Sequence, residues 1–273
     1  MLIKLFRIFV AVLTAVTLVA FAGVYIKEKV TSDKTVPVIK IEEGVLDVKS
    51  SAKEEDLLKG VTAYDEKDGD ITDRVLVESI GKFTEPGCCK VNYAVSDSDN
   101  HVATAQRRIR YTDYTPPKFK MSKPLIFSVY KELNVMGIVG AYDCLDGDIS
   151  ENVIISSPDF ENGKEGTYVL KATVMNSKGD TSEIELPMLV EKGGREAPEV
   201  ELKEYLIYVS GGKKPDWKKY ITGTYDSMGI EAKLDIKIET DFKAGKPGIY
   251  TVDYYSTDEH GYAGHTRLIA VAE

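Results

Sequence analysis

Two short acidic stretches carry the residue types best suited to chemistry. One reads Asp65-Glu66-Lys67-Asp68-Gly69-Asp70-Ile71-Thr72-Asp73 and the other Asp143-Cys144-Leu145-Asp146-Gly147-Asp148. A hard cation such as Ca²⁺ takes several carboxylate and carbonyl oxygens at once. Asp65, Asp68, Asp70 and Asp73 in the first stretch, and Asp143, Asp146 and Asp148 in the second, are therefore candidate Ca²⁺ ligands. Their spacing does not match the EF-hand loop. The same residues suit a turn in which aspartate side chains accept backbone N–H groups, and both readings stay open.

Other candidates are sparser. His260 and His265 bracket a turn beside Asp258 and Glu259, a metal-ligating set that a flexible turn would leave solvated. His101 lies in the equivalent hairpin of the first copy. Three cysteines, Cys88, Cys89 and Cys144, make no disulfide framework, because the number is odd and two are adjacent. Alternation along a strand points Cys89 inward and Cys88 outward, which leaves Cys88 open to intermolecular pairing or metal capture. Trp217, Tyr220 and Tyr262 are candidate contact residues for a protein or a glycan, although an indole buried under a loop fits the same sequence. There is no Gly-x-Ser-x-Gly elbow, no His-Glu-x-x-His and no phosphate-binding glycine loop. The expectation is binding rather than catalysis. With 44 acidic against 35 basic residues and a net charge of -9, nucleic acid is not the expected partner.

These residues need elements to position them, and the first element differs from the rest. Residues 8–26 form an uncharged, mostly apolar run after Lys4 and Arg7 and before Lys27 and Lys29. As a helix it would span roughly 28 Å, close to a bilayer core. The expected topology is a cytoplasmic tail (1–7), a single-pass signal-anchor (8–26) with the N-terminus inside, a linker (27–35), and an extracellular remainder. Ala20-Phe21-Ala22 also has the small-x-small form of a signal-peptidase site, so secretion after cleavage near Ala22 is the alternative.

Beyond the linker the chain repeats itself. Pro37, Pro117 and Pro198, 80 and 81 residues apart, each open a segment. Tyr64-Asp65, Tyr142-Asp143 and Tyr225-Asp226 follow, and the Asp-Gly-Asp turn is kept in the first two copies and lost in the third. Each copy then shows a turn glycine and an alternating strand. The inward parity carries Cys89, Val91, Tyr93 and Val95, then Tyr168, Leu170, Ala172 and Val174, then Tyr250, Val252 and Tyr254. Period-two alternation marks a strand with one buried face. Polar turns at 97–100, 176–179 and 258–261 lead to return strands. Only residues 54–59 and 216–220 suit a helical turn. Gly193-Gly194 is the expected flex point between the second and third copies.

Short strands broken by regular turns predict an all-β chain of three tandem Ig-like β-sandwich domains, at 36–113, 114–191 and 192–273, after one transmembrane helix. On its opening prolines, its Asp-Gly-Asp-Ile-Thr/Ser blocks and its Gly-x-Tyr strands, residues 36–273 resemble tandem bacterial immunoglobulin-like domains of Gram-positive surface proteins. They are similar to the Ig-like domain of pesticidal crystal proteins and to hyalin-type repeats. The resemblance implies cell-surface interaction or adhesion through an unknown surface protein or glycan. A Ca²⁺-rigidified stalk, or an accessory subunit of an envelope complex, are the alternatives. The Gly-x-Tyr elements look like tyrosine corners at Tyr168 and Tyr250, with Cys89 at that place in the first copy.

Overall fold

A computed structural model describes residues 2–31, 34–130, 133–157, 159–161, 163–193, 197–210 and 212–273. Helix α1 (Leu2–Thr31) opens the chain. Its stretch Ile3–Ile26 has a mean hydropathy of 2.4 and no part of it is buried against the rest of the protein. At 1.5 Å per residue those 24 residues reach about 36 Å, enough for a bilayer core of about 30 Å or for a signal sequence. Its two threonines return their hydroxyls to the helix, Thr14 Oγ1 to Val10 O at 2.8 Å and Thr17 Oγ1 to Thr14 O at 2.9 Å.

After α1 the regular structure among the described residues is strand and short helical turn, and one strand pattern runs through it three times, the third copy without the two-residue Gly-Asp strand. The first run has β1 (Val38–Ile41), β2 (Leu46–Val48), α2 (Glu54–Leu57), β3 (Val61–Asp65), β4 (Gly69–Asp70), β5 (Leu76–Ile80), β6 (Cys88–Ser96) and β7 (Val102–Tyr111). The second has β8 (Lys118–Met121), β9 (Ile126–Ser128), β10 (Val139–Asp143), β11 (Gly147–Asp148), β12 (Ile154–Ser156), β13 (Gly166–Met175) and β14 (Thr181–Glu191). The third has β15 (Glu199–Leu202), β16 (Leu206–Val209), a 3-10 turn (Trp217–Tyr220), β17 (Ile221–Tyr225), β18 (Asp235–Thr240), β19 (Gly248–Thr257) and β20 (Ala263–Ala272). Both expected helical turns are present, and two further 3-10 turns, Thr72–Arg74 and Ser150–Asn152, stand outside that expectation.

Each run makes a four-stranded sheet and a smaller one. The large sheets have the orders β2-β7-β6-β5, β12-β13-β14-β9 and β16-β20-β19-β18, and the small ones β1-β3-β4, β11-β10-β8 and β15-β17. Hairpin pairing is antiparallel, as short turns require, but β9 pairs parallel with β14 and β16 parallel with β20. The expected alternation is met in the long strands: Cys89, Val91, Tyr93 and Val95 are buried, as are Tyr168, Leu170, Ala172 and Val174. The Tyr168 hydroxyl donates to Lys164 O at 2.9 Å and the Tyr250 hydroxyl to Lys246 O at 3.1 Å, the expected tyrosine corners.

Two compact units result. One holds Met1–Val48, Ala52–Gly81 and Cys88–Arg110, and the other Lys49–Ser51, Lys82–Gly87 and Tyr111–Glu273. Within the second unit a single hydrophobic cluster runs from Phe119 to Ala270, so the second and third runs share buried surface. The Phe119 N–H donates to the Tyr208 hydroxyl at 2.9 Å and Lys118 Nζ meets Glu273 Oε1 at 2.8 Å. Of the expected flex point, Gly194 lies outside the described residues.

Candidate functional site

The acidic turns are built the same way in the first two runs. Asp65 ends β3 and Asp143 ends β10, and both are almost wholly buried. Asp65 Oδ1 accepts the N–H groups of Lys67 and Asp68, both at 2.9 Å. Asp143 Oδ1 accepts those of Leu145 at 2.8 Å and Asp146 at 3.0 Å. The chain then turns through Gly69 (φ +78°) or Gly147 (φ +74°), a left-handed conformation that a Cβ would strain. Asp70 Oδ1 accepts Thr72 N–H and Asp148 Oδ1 accepts Ser150 N–H, each at 3.0 Å.

The third carboxylate of each turn reaches the neighbouring hairpin. Asp68 accepts from Ser98 N–H and Oγ and from Arg74 Nη1, all at 2.7 Å. Asp146 accepts from Ser177 N–H at 2.6 Å and Oγ at 2.7 Å. The Ser98 hydroxyl and then the Arg74 guanidinium hold the Asp68 carboxyl below its ordinary range. Lys120 Nζ, 2.6 Å from Asp148, does the same for that residue, helped by the Ser150 hydroxyl. Asp73 is exposed on the short 3-10 turn Thr72–Arg74. The geometry is that of side-chain-capped turns. Among the described residues no three His, Cys, Asp or Glu side chains converge where they could hold a metal ion.

The two turns differ at one oxygen. Asp143 Oδ2 accepts Nδ2 of Asn176 at 3.1 Å, and that amide also donates to the Tyr114 hydroxyl at 3.0 Å. Asp97 stands at the Asn176 position of the first run and has no such donor. Asp65 Oδ2 is buried there without a hydrogen-bond partner. In the third run Asp226 still caps its turn, accepting the N–H groups of Met228 and Ile230 at 2.9 Å.

Burial corrects one of the three aromatic contact candidates. Trp217 is 6% exposed and its ring meets Phe242 edge-on at 5.4 Å, so it is core and not surface. The reason is tertiary: the turn Trp217–Tyr220 is held against β19, where the fully buried Tyr254 donates its hydroxyl to Trp217 O at 2.9 Å. Tyr220 is half-buried beside it, and Tyr262, 46% exposed, is the member of the trio that reaches solvent. Tyr205 is buried and Tyr208 half-buried, while Tyr255 is exposed. Cys89 is buried and Cys88 half-buried, as alternation predicts, and the Cys144 thiol donates to Thr115 O at 3.4 Å.

His265 is not a solvated turn histidine. It sits on β20 with its Nδ1 3.1 Å from Glu191 Oε2 and its Nε2 3.0 Å from Asp253 Oδ1, stacked on Tyr255 at 4.4 Å. Burial disfavours its charge, but the bonds to Asp253 and Glu191 outweigh burial and raise its pKa above the ordinary imidazole value. Asp253 is also desolvated, yet His265 and Arg267 (2.6 Å) hold its carboxyl low. Glu191 closes β14, so this imidazole joins the second run to the third. His260 remains at the exposed turn.

One feature was missed in the sequence. A cleft of about 880 Å³ opens in the second run, lined by Met121, Val135, Met136, Ile138, Val153 and Ile155. Lys120 and Glu151 stand at its polar edge. The available signal was Ala172, which breaks the tyrosine pattern set by Tyr93 and Tyr254.

No family model matches the chain. Among curated proteins, pesticidal crystal protein Cry22Aa of Bacillus thuringiensis is 26% identical over 208 residues, covering 73% of this chain and 28% of that protein. The chain thus spans less than a third of that relative's length. Among solved structures, CBM51-2 in complex with GlcNAc and INT domains from Clostridium perfringens ZmpB is 24% identical, covering 54% of this chain and 26% of that one, with a TM-score of 0.23. Drosophila N-cadherin EC1-3 is 13% identical, covering 88% of this chain and 90% of that one, with a TM-score of 0.32.

Proposed function

We propose that the chain is a membrane-anchored, extracytoplasmic binding and spacing protein of the bacterial surface, which displays three Ig-like sandwiches at 36–113, 114–191 and 192–273 and performs no catalysis. The observation that carries this reading is α1, whose stretch Ile3–Ile26 is apolar and uncovered by protein, followed by described structure in which strand is the dominant regular element. An apolar surface of that length needs lipid or a partner to cover it. The sequence likeness to the Bacillus thuringiensis crystal protein supports a Gram-positive setting. In this reading residues 1–7 stay inside and the sandwiches meet a surface protein or glycan outside.

The test is a C-terminally tagged chain expressed in a Gram-positive host. The tag is expected to be accessible to antibody on intact protoplasts, and the chain to stay in the pellet after alkaline carbonate extraction. A tag reached only after lysis overturns the topology. Release into the medium, with a new N-terminus near residue 22, replaces anchoring by secretion.

A further inference from the structure

Among the described residues, the cleft in the second run opens where the other two runs carry a large plug, and only the half-buried Leu133 and Val135 pack against the core there. In the first run Leu57 lies four residues before β3, is buried, and its carbonyl accepts the hydroxyl of the fully buried Tyr93 at 2.7 Å. In the third, Trp217 lies four residues before β17 and its carbonyl accepts the Tyr254 hydroxyl. Each helical turn is thus nailed over the end of the core by a tyrosine rising from the central strand. The equivalent positions in the second run are Val135, four residues before β10, and Ala172 on β13. The register makes this equivalence firm: Val77 pairs with Tyr93, Ile155 with Ala172 and Ile238 with Tyr254. Ile155, opposite Ala172, is one of the cleft's lining residues. Ile184 across from Ala172, where Ala105 and Thr266 stand in the other runs, refills part of the space. The cleft remains, and Met136 at its mouth is 86% exposed.

We infer that this cleft binds a partner polypeptide. The occupant is a helical turn with one large apolar anchor of the leucine or tryptophan class, set where Leu57 and Trp217 sit in the sister runs. An apolar cavity with a few polar groups at its edge is the usual form of a binding site. A buried aromatic or aliphatic anchor is the usual source of affinity. A flexible Met side chain at the mouth suits an incoming surface that must be fitted. The inference takes from the proposed function only the place where the partner is met.

The experiment uses the full chain in lipid nanodiscs with methyl-labelled methionine. The probe is a synthetic peptide of residues 213–222, which carries the Trp217 turn. The Met121 and Met136 methyl signals are expected to shift saturably below about 1 mM peptide, the weak end of specific affinity. Met175 and Met228, exposed elsewhere, are expected not to move. The peptide with alanine in place of tryptophan is expected to give no shift. Ala172→Tyr, which restores the missing nail, is expected to abolish binding and raise the melting midpoint. Flat titrations, equal shifts with the alanine peptide, or undiminished binding to folded Ala172→Tyr each overturn the proposal. If Ala172→Tyr fails to fold, Met136→Asp at the exposed mouth decides: lost binding supports the site and retained binding refutes it. Shifts of the same methyls by an N-acetylglucosamine oligomer, with none from peptide, make the cleft a glycan site and also refute it. A flat titration with the chain still membrane-bound removes the cleft alone and leaves the anchoring intact.

Discussion

Replacing His265 by Gln should loosen the second unit in a way that depends on pH. The imidazolium joins Glu191 on β14 to Asp253 on β19, with Arg267 also on Asp253 and the Tyr255 ring against its face. A hydrogen bond to a charged group is worth roughly 1.5–3 kcal/mol. Two are lost, but the Glu191 side chain is 35% exposed, which weakens its share, and Arg267 still neutralises Asp253. A net cost of about 2–3 kcal/mol follows. For a unit of this size that is a fall of roughly 4–12 °C in melting midpoint. Because the native pKa of His265 is raised, its contribution is full below the ordinary imidazole value and is lost as pH rises through the native one. Thermal melts of both proteins from about pH 6 to pH 9 should therefore show a wide gap at the acidic end and a narrow one at the basic end. A gap that is constant across this range, or absent throughout, would refute the charged bridge.

Gly264→Ala should cost about 2–3 kcal/mol or more by chemical denaturation, since a Cβ there would lie 1.9 Å from Pro198 O and 2.7 Å from Ser256 Oγ. A neutral result would mean that the strand entry at Pro198 is free to shift. Asn176→Asp should cost about 2–3 kcal/mol, because it removes the donor to buried Asp143 Oδ2 and to the Tyr114 hydroxyl; unchanged denaturation curves would show that Asp143 needs no partner. Millimolar Ca²⁺ against chelator is expected to leave the melting midpoint unmoved, as the turn carboxylates already serve N–H, hydroxyl and guanidinium donors. A rise would show native-state binding at these turns.

Much of this was legible in the sequence, because strand alternation and turn chemistry are local. The parity at 88–96 and 166–175 predicts which side chains are buried, and Gly69 and Gly147 mark the left-handed turn residues. The roles of Trp217 and His265 were not legible, since both depend on distant residues. Trp217 is fixed by Tyr254 from β19 and Phe242 from the preceding loop, so an exposed aromatic patch and a core plug share one sequence. His265 meets Glu191, 74 positions away, only because the second and third runs pack together. The cleft was legible in principle: Ala172 among tyrosines at matched positions is a missing volume. Reading it required knowing that Tyr93 and Tyr254 hold a lid by its carbonyl, which only the folded backbone shows.

The parallel pairing of β9 with β14 and of β16 with β20 bears on how such a protein carries load. These strands lie near the two ends of their own run, so tension drawn through the chain slides them past each other lengthwise. The pairs Leu189–Ile126 to Glu191–Ser128, and Leu206–Ile269 to Val209–Ala272, must then rupture together rather than unzip one by one. On the proposed spacing role, the chain would resist pulling through these few strand pairs, whatever the rest of the sheet contributes to its equilibrium stability.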